Sequence, residues 1–382
     1  MGSLHSPARA GPMTRILIAG GGTAGHVLPG IAIATELVDR GLRPDEVHFV
    51  GSERGVERRL VPEAGFSVTL LPGRGIQRRM TRDNIGAVGG LIRAIGRALL
   101  VMREHRPEVV VSLGGYASVP CALWAIALRT PIVVAEQNAV PGAANRLIGR
   151  FAKSCGVSFE GTDLPRAVWT GNPVRPEILA LDRIAARDDA RRKLGLPLDR
   201  FVVAIFGGSL GALRINNAVL EALPEWSDRA DLAIRHVIGH RDFSEVIDRA
   251  PMLDNDALIY QPVEYEQDMV SLYGAADMVV CRAGATSVAE LALIGLPSVL
   301  VPLPGAPGDH QSANAAALVS CGAALQIADR DFDGHRLVAE VETLLSSPDR
   351  CAEMAVSAGA VARPDAAARL VDLVIAQTNA VE

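Results

Sequence analysis

The chain has 382 residues, 49% of them apolar, a formal net charge of −5 and a sequence isoelectric point near 6.0. That is enough apolar material for a large buried core and a length that favours two domains, and the acidic balance excludes the broad basic field of a nucleic-acid binder. The five cysteines (Cys121, Cys155, Cys281, Cys321 and Cys351) are odd in number, widely spaced and without a Cys-x-x-Cys pair, which excludes a disulfide framework or zinc knuckle, fits a reducing cytoplasm and marks them as small buried hydrophobes.

Residues 1–13 lack the apolar segment of a secretory signal and read as a disordered lead-in. From residue 15, short β-branched runs at 15–19, 47–50, 68–71, 109–112 and 132–135 alternate with helical patterns at 31–40, 83–104 and 119–129. Residues 109–128 carry no charge and are long enough to cross a bilayer, but Gly114, Gly115, Ser118 and Pro120 interrupt them. A buried strand, a glycine turn and a helix explain that stretch better than a membrane span. Between the halves, Gly171, Pro173 and Pro176 make a hinge of residues 170–176. The pattern then restarts, with strands at 201–206, 235–238, 258–260, 278–281 and 298–301 and helices at 213–223, 243–249, 286–294 and 312–320; a further helical pattern covers 366–376. Such alternation predicts an α/β protein with parallel sheets covered on both faces.

The predicted architecture is two Rossmann-like domains facing across a cleft: residues 14–173, residues 174–363, and a C-terminal helix within 364–382 that packs back on the first domain. Ligands are then expected on the loops that follow strands.

Three glycine turns each follow a predicted strand and open a helix: Gly20-Gly21-Gly22-Thr23-Ala24-Gly25-His26, Gly114-Gly115-Tyr116, and Gly207-Gly208-Ser209-Leu210-Gly211-Ala212. Backbone N–H groups and helix dipoles there suit phosphate, although a single such turn is as often a packing corner. The first also fits the dinucleotide pattern, but Val50 is followed by Gly51 and Ser52, with Glu53 only later, inside what reads as the next helix. The acid that would hold a nicotinamide ribose is therefore missing, and a dehydrogenase is a minor alternative. In Arg282-Ala283-Gly284-Ala285-Thr286-Ser287-Val288-Ala289-Glu290, Glu290 reads equally well as part of a capping box on Thr286 or Ser287 and as an acceptor for two ribose hydroxyls. The loop 302–307 runs into Gly308-Asp309-His310-Gln311, which suits sugar hydroxyls or a plain surface loop. Asp254/Asp256 and Asp329/Asp331/Asp333 have the spacing of metal-binding pairs but sit in polar turns, and no cluster argues for a metal or other cofactor.

These motifs, with Glu136-Gln137-Asn138, Pro141-Gly142-Ala143-Ala144-Asn145-Arg146 and Gly171-Asn172-Pro173-Val174-Arg175, occur in an order that closely resembles the MurG family over about residues 14–376. The resemblance implies a GT-B glycosyltransferase moving N-acetylglucosamine from UDP-N-acetylglucosamine to the MurNAc 4-hydroxyl of undecaprenyl-pyrophosphoryl-MurNAc-pentapeptide (lipid I), giving lipid II. It further implies a peripheral protein on the cytoplasmic face of the cell membrane, with partners in the cell-wall or division machinery. By motif, Thr23, Ala24 and Gly25 approach the donor diphosphate or sugar, and Asn138 the sugar; Arg175 and Ser209 hold phosphate. Ala285, Thr286, Ser287, Val288, Ala289 and Glu290 hold ribose and phosphate, Gln311 the sugar hydroxyls, and the uracil falls at 265–269, where Glu266 replaces a commoner apolar residue.

The family inverts the anomeric centre, so one in-line displacement needs a base and fixed positive potential at the departing diphosphate. His26, at a helix N-terminus where the dipole disfavours imidazolium, is the leading base and Glu136 its rival; Tyr116 and Asn145 are acceptor-side candidates and Asn216 a cleft candidate. Docking to an anionic membrane surface is expected from the basic, apolar segment 74–80, with Arg74, Arg78 and Arg79, and from the following helix. For that helix a core-facing stripe explains the periodicity equally well.

Overall fold

A computed structural model of the protein describes residues 15–73, 83–208, 210–252 and 257–378, with the side chains of 83–88 left aside. The lead-in at 1–13, the segment 74–80, Ser209 and the Asp254/Asp256 pair lie outside the described residues. Two compact units are present: the first holds residues up to Gln137, Pro141–Pro173 and the chain from Asp365, and the second holds Asn138–Val140 and Val174–Pro364.

The first unit is a seven-stranded parallel sheet built from β1 (Ile16–Gly20), β2 (Val47–Ser52), β3 (Ser67–Leu71), β4 (Val109–Gly114), β5 (Ile132–Glu136), β6 (Ser154–Val157) and β7 (Ala167–Trp169), in the order β3-β2-β1-β4-β5-β6-β7. Strand alternation divides each apolar run between two layers. Leu17 and Ala19 join the core under helices Asp83–His105 and Ser118–Leu128, while Ile16 and Ile18 join the core under helices Ala24–Asp39 and Ala366–Thr378. Leu370, Val371 and Val374 of that last helix are fully buried, and Arg40 pairs with Asp372. Each such buried side chain contributes about 1.5–3 kcal/mol, which places the C-terminal helix on the first sheet.

The second unit is a six-stranded parallel sheet of β8 (Phe201–Phe206), β9 (Leu232–Val237), β10 (Ile259–Val263), β11 (Met278–Cys281), β12 (Ser298–Leu300) and β13 (Ala324–Gln326), ordered β10-β9-β8-β11-β12-β13. Its core gathers Val203, Ile205, Ile215, Val219, Trp226, Ile234, Val280 and Phe332.

Some sequence expectations hold in the structure and others are corrected. Strands β6, β7 and β13 were not visible, being only three or four residues long and so too short for a local pattern. Glu53 lies in a turn, because the helix starts at Glu57. Residues 109–128 form β4 and a helix, and no helix among the described residues is long and apolar enough to cross a membrane. Asp329 and Asp331 belong to a short 3-10 turn, Asp329 pairs with Arg282, and Asp333 caps the next helix through the Arg336 N–H at 2.8 Å. All five cysteines are free; Cys121, Cys155 and Cys281 are buried, and Cys321 and Cys351 only partly so.

Candidate active site

In each sheet the strand order reverses at one place, between β1 and β4 in the first unit and between β8 and β11 in the second. Connections leave that point toward opposite faces, so the carboxyl ends of the two strands open a crevice where open α/β sheets bind ligands. The glycine turns sit there: residues 20–26 follow β1, Gly114 and Gly115 follow β4, residues 207–212 follow β8, and residues 282–285 follow β11.

The helices that these turns open carry no side-chain caps. Thr23, Ala212 and Gly284 are the N-cap residues of helices Ala24–Asp39, Leu213–Ala222 and Ala285–Ile294, and none of them bonds a helical N–H through its side chain. Helices Arg183–Leu194, Met269–Ala275 and Gly334–Leu345 are instead capped by Asp182, Asp268 and Asp333. Uncapped N-termini at a switch point keep their first N–H groups for a ligand.

In the first unit the two glycine turns touch. The Gly21 N–H donates to the Gly114 carbonyl at 3.3 Å, and a Cβ on Gly115 would stand 2.5 Å from the Gly21 carbonyl. His26 lies in the first helical turn, half-buried, with Nδ1 3.0 Å from the Thr23 hydroxyl. That contact ties the ring to the residue that precedes the helix. The Gly22 N–H is already taken by the buried carboxylate of Glu57. One N–H of this turn is therefore engaged within the protein, while the first N–H groups of helix Ala24–Asp39 carry no side-chain cap.

Glu136, Asn145 and Tyr116 are positioned differently from His26. Glu136 ends β5 and is 3% exposed; its Oε2 accepts hydrogen bonds from the Gly142 N–H and from Asn145 Nδ2, both at 3.0 Å. Asn145 is buried, its Oδ1 accepting from Ser112 and its Nδ2 also donating to the Ala135 carbonyl. Its amide is therefore used to tie β4, β5 and Glu136 together. Tyr116 donates its hydroxyl to the Pro72 carbonyl at 2.9 Å, and burial raises its pKa, so it remains a protonated donor.

In the second unit, the capping-box reading of Glu290 does not hold. Its helix starts at Ala285, one residue earlier than the sequence pattern suggests, so Glu290 lies too far along to reach back to a cap. The carboxylate is 4% exposed, with Oε1 3.2 Å from Arg175 Nη2 and Oε2 accepting from the Tyr273 hydroxyl at 2.8 Å. Burial pushes its pKa up, against Arg175 and the Tyr273 bond. Arg175 and Glu290, expected separately as phosphate and ribose contacts, thus form one pair. Tyr273 had no motif to announce it. The Thr286 hydroxyl is buried without a protein partner among the described residues.

Gln311 Oε1 accepts from the Leu303 N–H at 2.9 Å and so fixes the loop before it. Asn314 is fully buried; its Oδ1 accepts from the Ala139 N–H at 2.8 Å, and its Nδ2 donates to Asn138 Oδ1 and the Ala283 carbonyl. It places Asn138 beside the turn after β11. Ala285 and Val288 are buried, and Ser287 and Ala289 half-buried, on the same helical turn and a half as Thr286. Asn216, expected as a cleft residue, is fully buried and lies within a relay. Its Nδ2 donates to the Ile238 carbonyl and to Asp242, so its Oδ1 must accept from His236 Nε2, and His236 Nδ1 accepts from the Tyr260 hydroxyl. Burial pushes His236 down to about 3, keeping it neutral. The relay holds residues 238–242 against the glycine turn, where Gly211 (φ 84°) leaves no room for a side chain over the Ile238 carbonyl. Glu266 is paired with Arg235 at 2.7 Å and accepts from the Asp268 N–H at 3.0 Å, an ionic substitute for an apolar anchor in the 265–269 loop. Among the described residues no group of three or more His, Cys, Asp or Glu is placed to hold a metal ion.

Residues 16–157 match the glycosyltransferase family 28 N-terminal domain and residues 202–370 the family 28 C-terminal domain. The UDP-N-acetylglucosamine–N-acetylmuramyl-(pentapeptide) pyrophosphoryl-undecaprenol N-acetylglucosamine transferase of Anaeromyxobacter sp. (strain Fw109-5) is 41% identical over 366 residues, covering 94% of this chain and 92% of that one. The transferase of the same name from Desulforudis audaxviator is 38% identical over 374 residues, covering 94% and 97%. Among solved structures, the crystal structure of Acinetobacter baumannii MurG matches with a TM-score of 0.71 at 28% identity, covering 95% of this chain and 99% of that one.

Proposed function

From the premise that the chain belongs to glycosyltransferase family 28 and to its MurG members, we propose that it transfers N-acetylglucosamine from UDP-N-acetylglucosamine to the MurNAc 4-hydroxyl of undecaprenyl-pyrophosphoryl-MurNAc-pentapeptide, with inversion, giving lipid II. The observation that carries this is the near-full-length match to transferases of that name, with both family domains in order.

The donor belongs to the second unit. The N–H groups of the turn 207–212 and the uncapped N-terminus of helix Ala285–Ile294 face the diphosphate, Arg175 adds fixed charge, and Glu290 takes the ribose hydroxyls. Thr286 and Ser287 hold phosphate oxygens, Gln311 and Asn138 take the sugar, and the 265–269 loop reads the uracil through its backbone. His26 removes the acceptor proton through Nε2, with Thr23 orienting the ring through Nδ1. Glu136, tied by two hydrogen bonds, shapes the acceptor side together with Asn145 and Tyr116. The test is an assay with UDP-N-acetylglucosamine and a lipid I analogue, read as released UDP and a disaccharide product. UDP is expected to bind by calorimetry and NADH is not; tight NADH binding without UDP binding overturns the transferase reading.

The lipid acceptor requires contact with a membrane, which we assign to the first unit at the cytoplasmic face. In helix Asp83–His105, Ala94, Ala98, Val101 and Met102 form the core stripe, yet Ile92 and Leu100 are 65% and 54% exposed beside exposed Arg93 and Arg97. Leu123, Ile126 and Leu128 are exposed on helix Ser118–Leu128, which packs on it, and Leu147 and Phe151 are exposed near Arg146, Arg150 and Lys153. An apolar surface edged by cations is what an anionic interface binds. Changing Arg74, Arg78 and Arg79 together to Ser is expected to weaken binding to phosphatidylglycerol-containing vesicles by up to about a hundredfold, at about 1 kcal/mol for each cation, with UDP affinity intact. Equal vesicle binding of the two proteins removes the segment 74–80 from the docking surface.

A further inference from the structure

Glu57 opens the helix Glu57–Glu63 and is 1% exposed. A buried carboxylate is expensive unless its oxygens are satisfied. Here Oε1 accepts the Gly22 N–H, while Oε2 is buried without a partner among the described residues. Burial pushes its pKa up, opposed by the backbone hydrogen bonds it accepts. Two loops shape the space around it. A Cβ on Gly21 or Gly55 would overlap a carboxylate oxygen, and one on Gly51 would come within 2.7 Å of Glu57 Cγ. The carboxylate therefore lies against the glycine turn 20–26 itself. One residue beyond its Gly22 contact is Thr23, whose carbonyl accepts the His26 N–H at 3.1 Å and whose hydroxyl meets the His26 ring at 3.0 Å.

We propose that Glu57 is a positioning residue for His26: by holding the Gly22 N–H from below, it fixes the peptide from which Thr23 starts the helix and orients the imidazole. Glycine turns have many accessible conformations, so the fold alone leaves this one loosely defined, and an internal acceptor selects one of them. The same contact occupies the N–H that would otherwise attract a phosphate, which keeps the turn for a neutral sugar hydroxyl. The proposal rests on the reading of His26 as the base.

The experiment compares Glu57→Ala, Glu57→Gln, Glu57→Asp and His26→Ala in the full chain. It measures kcat and KM with UDP-N-acetylglucosamine and a lipid I analogue, UDP affinity by calorimetry, and thermal unfolding. A small displacement of a reacting group typically lowers rate about a hundredfold. Glu57→Ala is expected to lower kcat about tenfold to a hundredfold with UDP affinity unchanged. Glu57→Gln recovers most of that loss, since its amide oxygen accepts the same N–H. Should Glu57→Ala not fold, Glu57→Asp, with a side chain one methylene too short, takes its place and is expected to lose kcat while binding UDP normally. Full kcat in Glu57→Ala or Glu57→Asp overturns the proposal. So does a Glu57→Gln protein that fails to recover kcat, because the hydrogen bond is then not what matters. Unchanged turnover in His26→Ala removes the reading beneath it, and that result is separate from any Glu57 outcome.

Discussion

His26→Ala is expected to lower turnover about a hundredfold to ten-thousandfold while UDP-N-acetylglucosamine affinity stays near that of the unaltered protein. The range is that of a positioned general base, which acts in the transition state and adds little to donor binding. The geometry favours this residue over its rival. His26 stands in the first turn of helix Ala24–Asp39, half-buried, its ring held by the Thr23 hydroxyl at Nδ1. Glu136 is 3% exposed and already accepts two hydrogen bonds at one oxygen, so moving it would disturb the turn 136–145 as much as the chemistry. Turnover and donor affinity are to be measured on the same folded variants, alongside Glu136→Gln. Near-normal turnover in His26→Ala together with abolished turnover in Glu136→Gln assigns the base to Glu136.

The second large effect is on donor binding. Glu290→Gln is expected to weaken UDP binding by about 1.5–3 kcal/mol, roughly tenfold to a hundredfold, because a charge-assisted acceptor for the ribose becomes a neutral amide. The substitution also breaks the pair with Arg175 and replaces one acceptor oxygen with a donor facing Arg175 or the Tyr273 hydroxyl. Arg175 then loses its carboxylate partner. Thermal unfolding of the same protein separates this from a general loss of stability. If UDP affinity is unchanged, Glu290 serves only to hold Arg175 and Tyr273 together, and the ribose is read elsewhere.

The parallel two-sheet architecture was legible in the chain itself. Runs such as Phe201–Phe206 are apolar at every position because both faces of each sheet are covered, and helical periodicity separates them at regular intervals. The glycine turns were legible too, since a strand, a glycine turn and a helix are contiguous in sequence. Short strands were not: Ser154–Val157 and Ala167–Trp169 hold their places by pairing with β5 and with each other, a contribution that leaves no local periodicity. The same limit applied within the site. Ordered motifs named Arg175 and Glu290, but 115 positions separate them, and only the second unit's packing pairs them and brings in Tyr273. Asn216 was expected as a cleft residue, yet its amide is engaged by His236, Ile238 and Asp242. Glu57 lies 35 positions from Gly22 in an ordinary charged stretch, and nothing local distinguishes it from Arg58 or Arg59. Sequence by itself determines the long strands and helices and where the glycine turns open, because those depend on neighbours along the chain. Which polar groups face a ligand and which satisfy one another is decided only by the tertiary structure, because burial and hydrogen-bond partnership depend on neighbours in space.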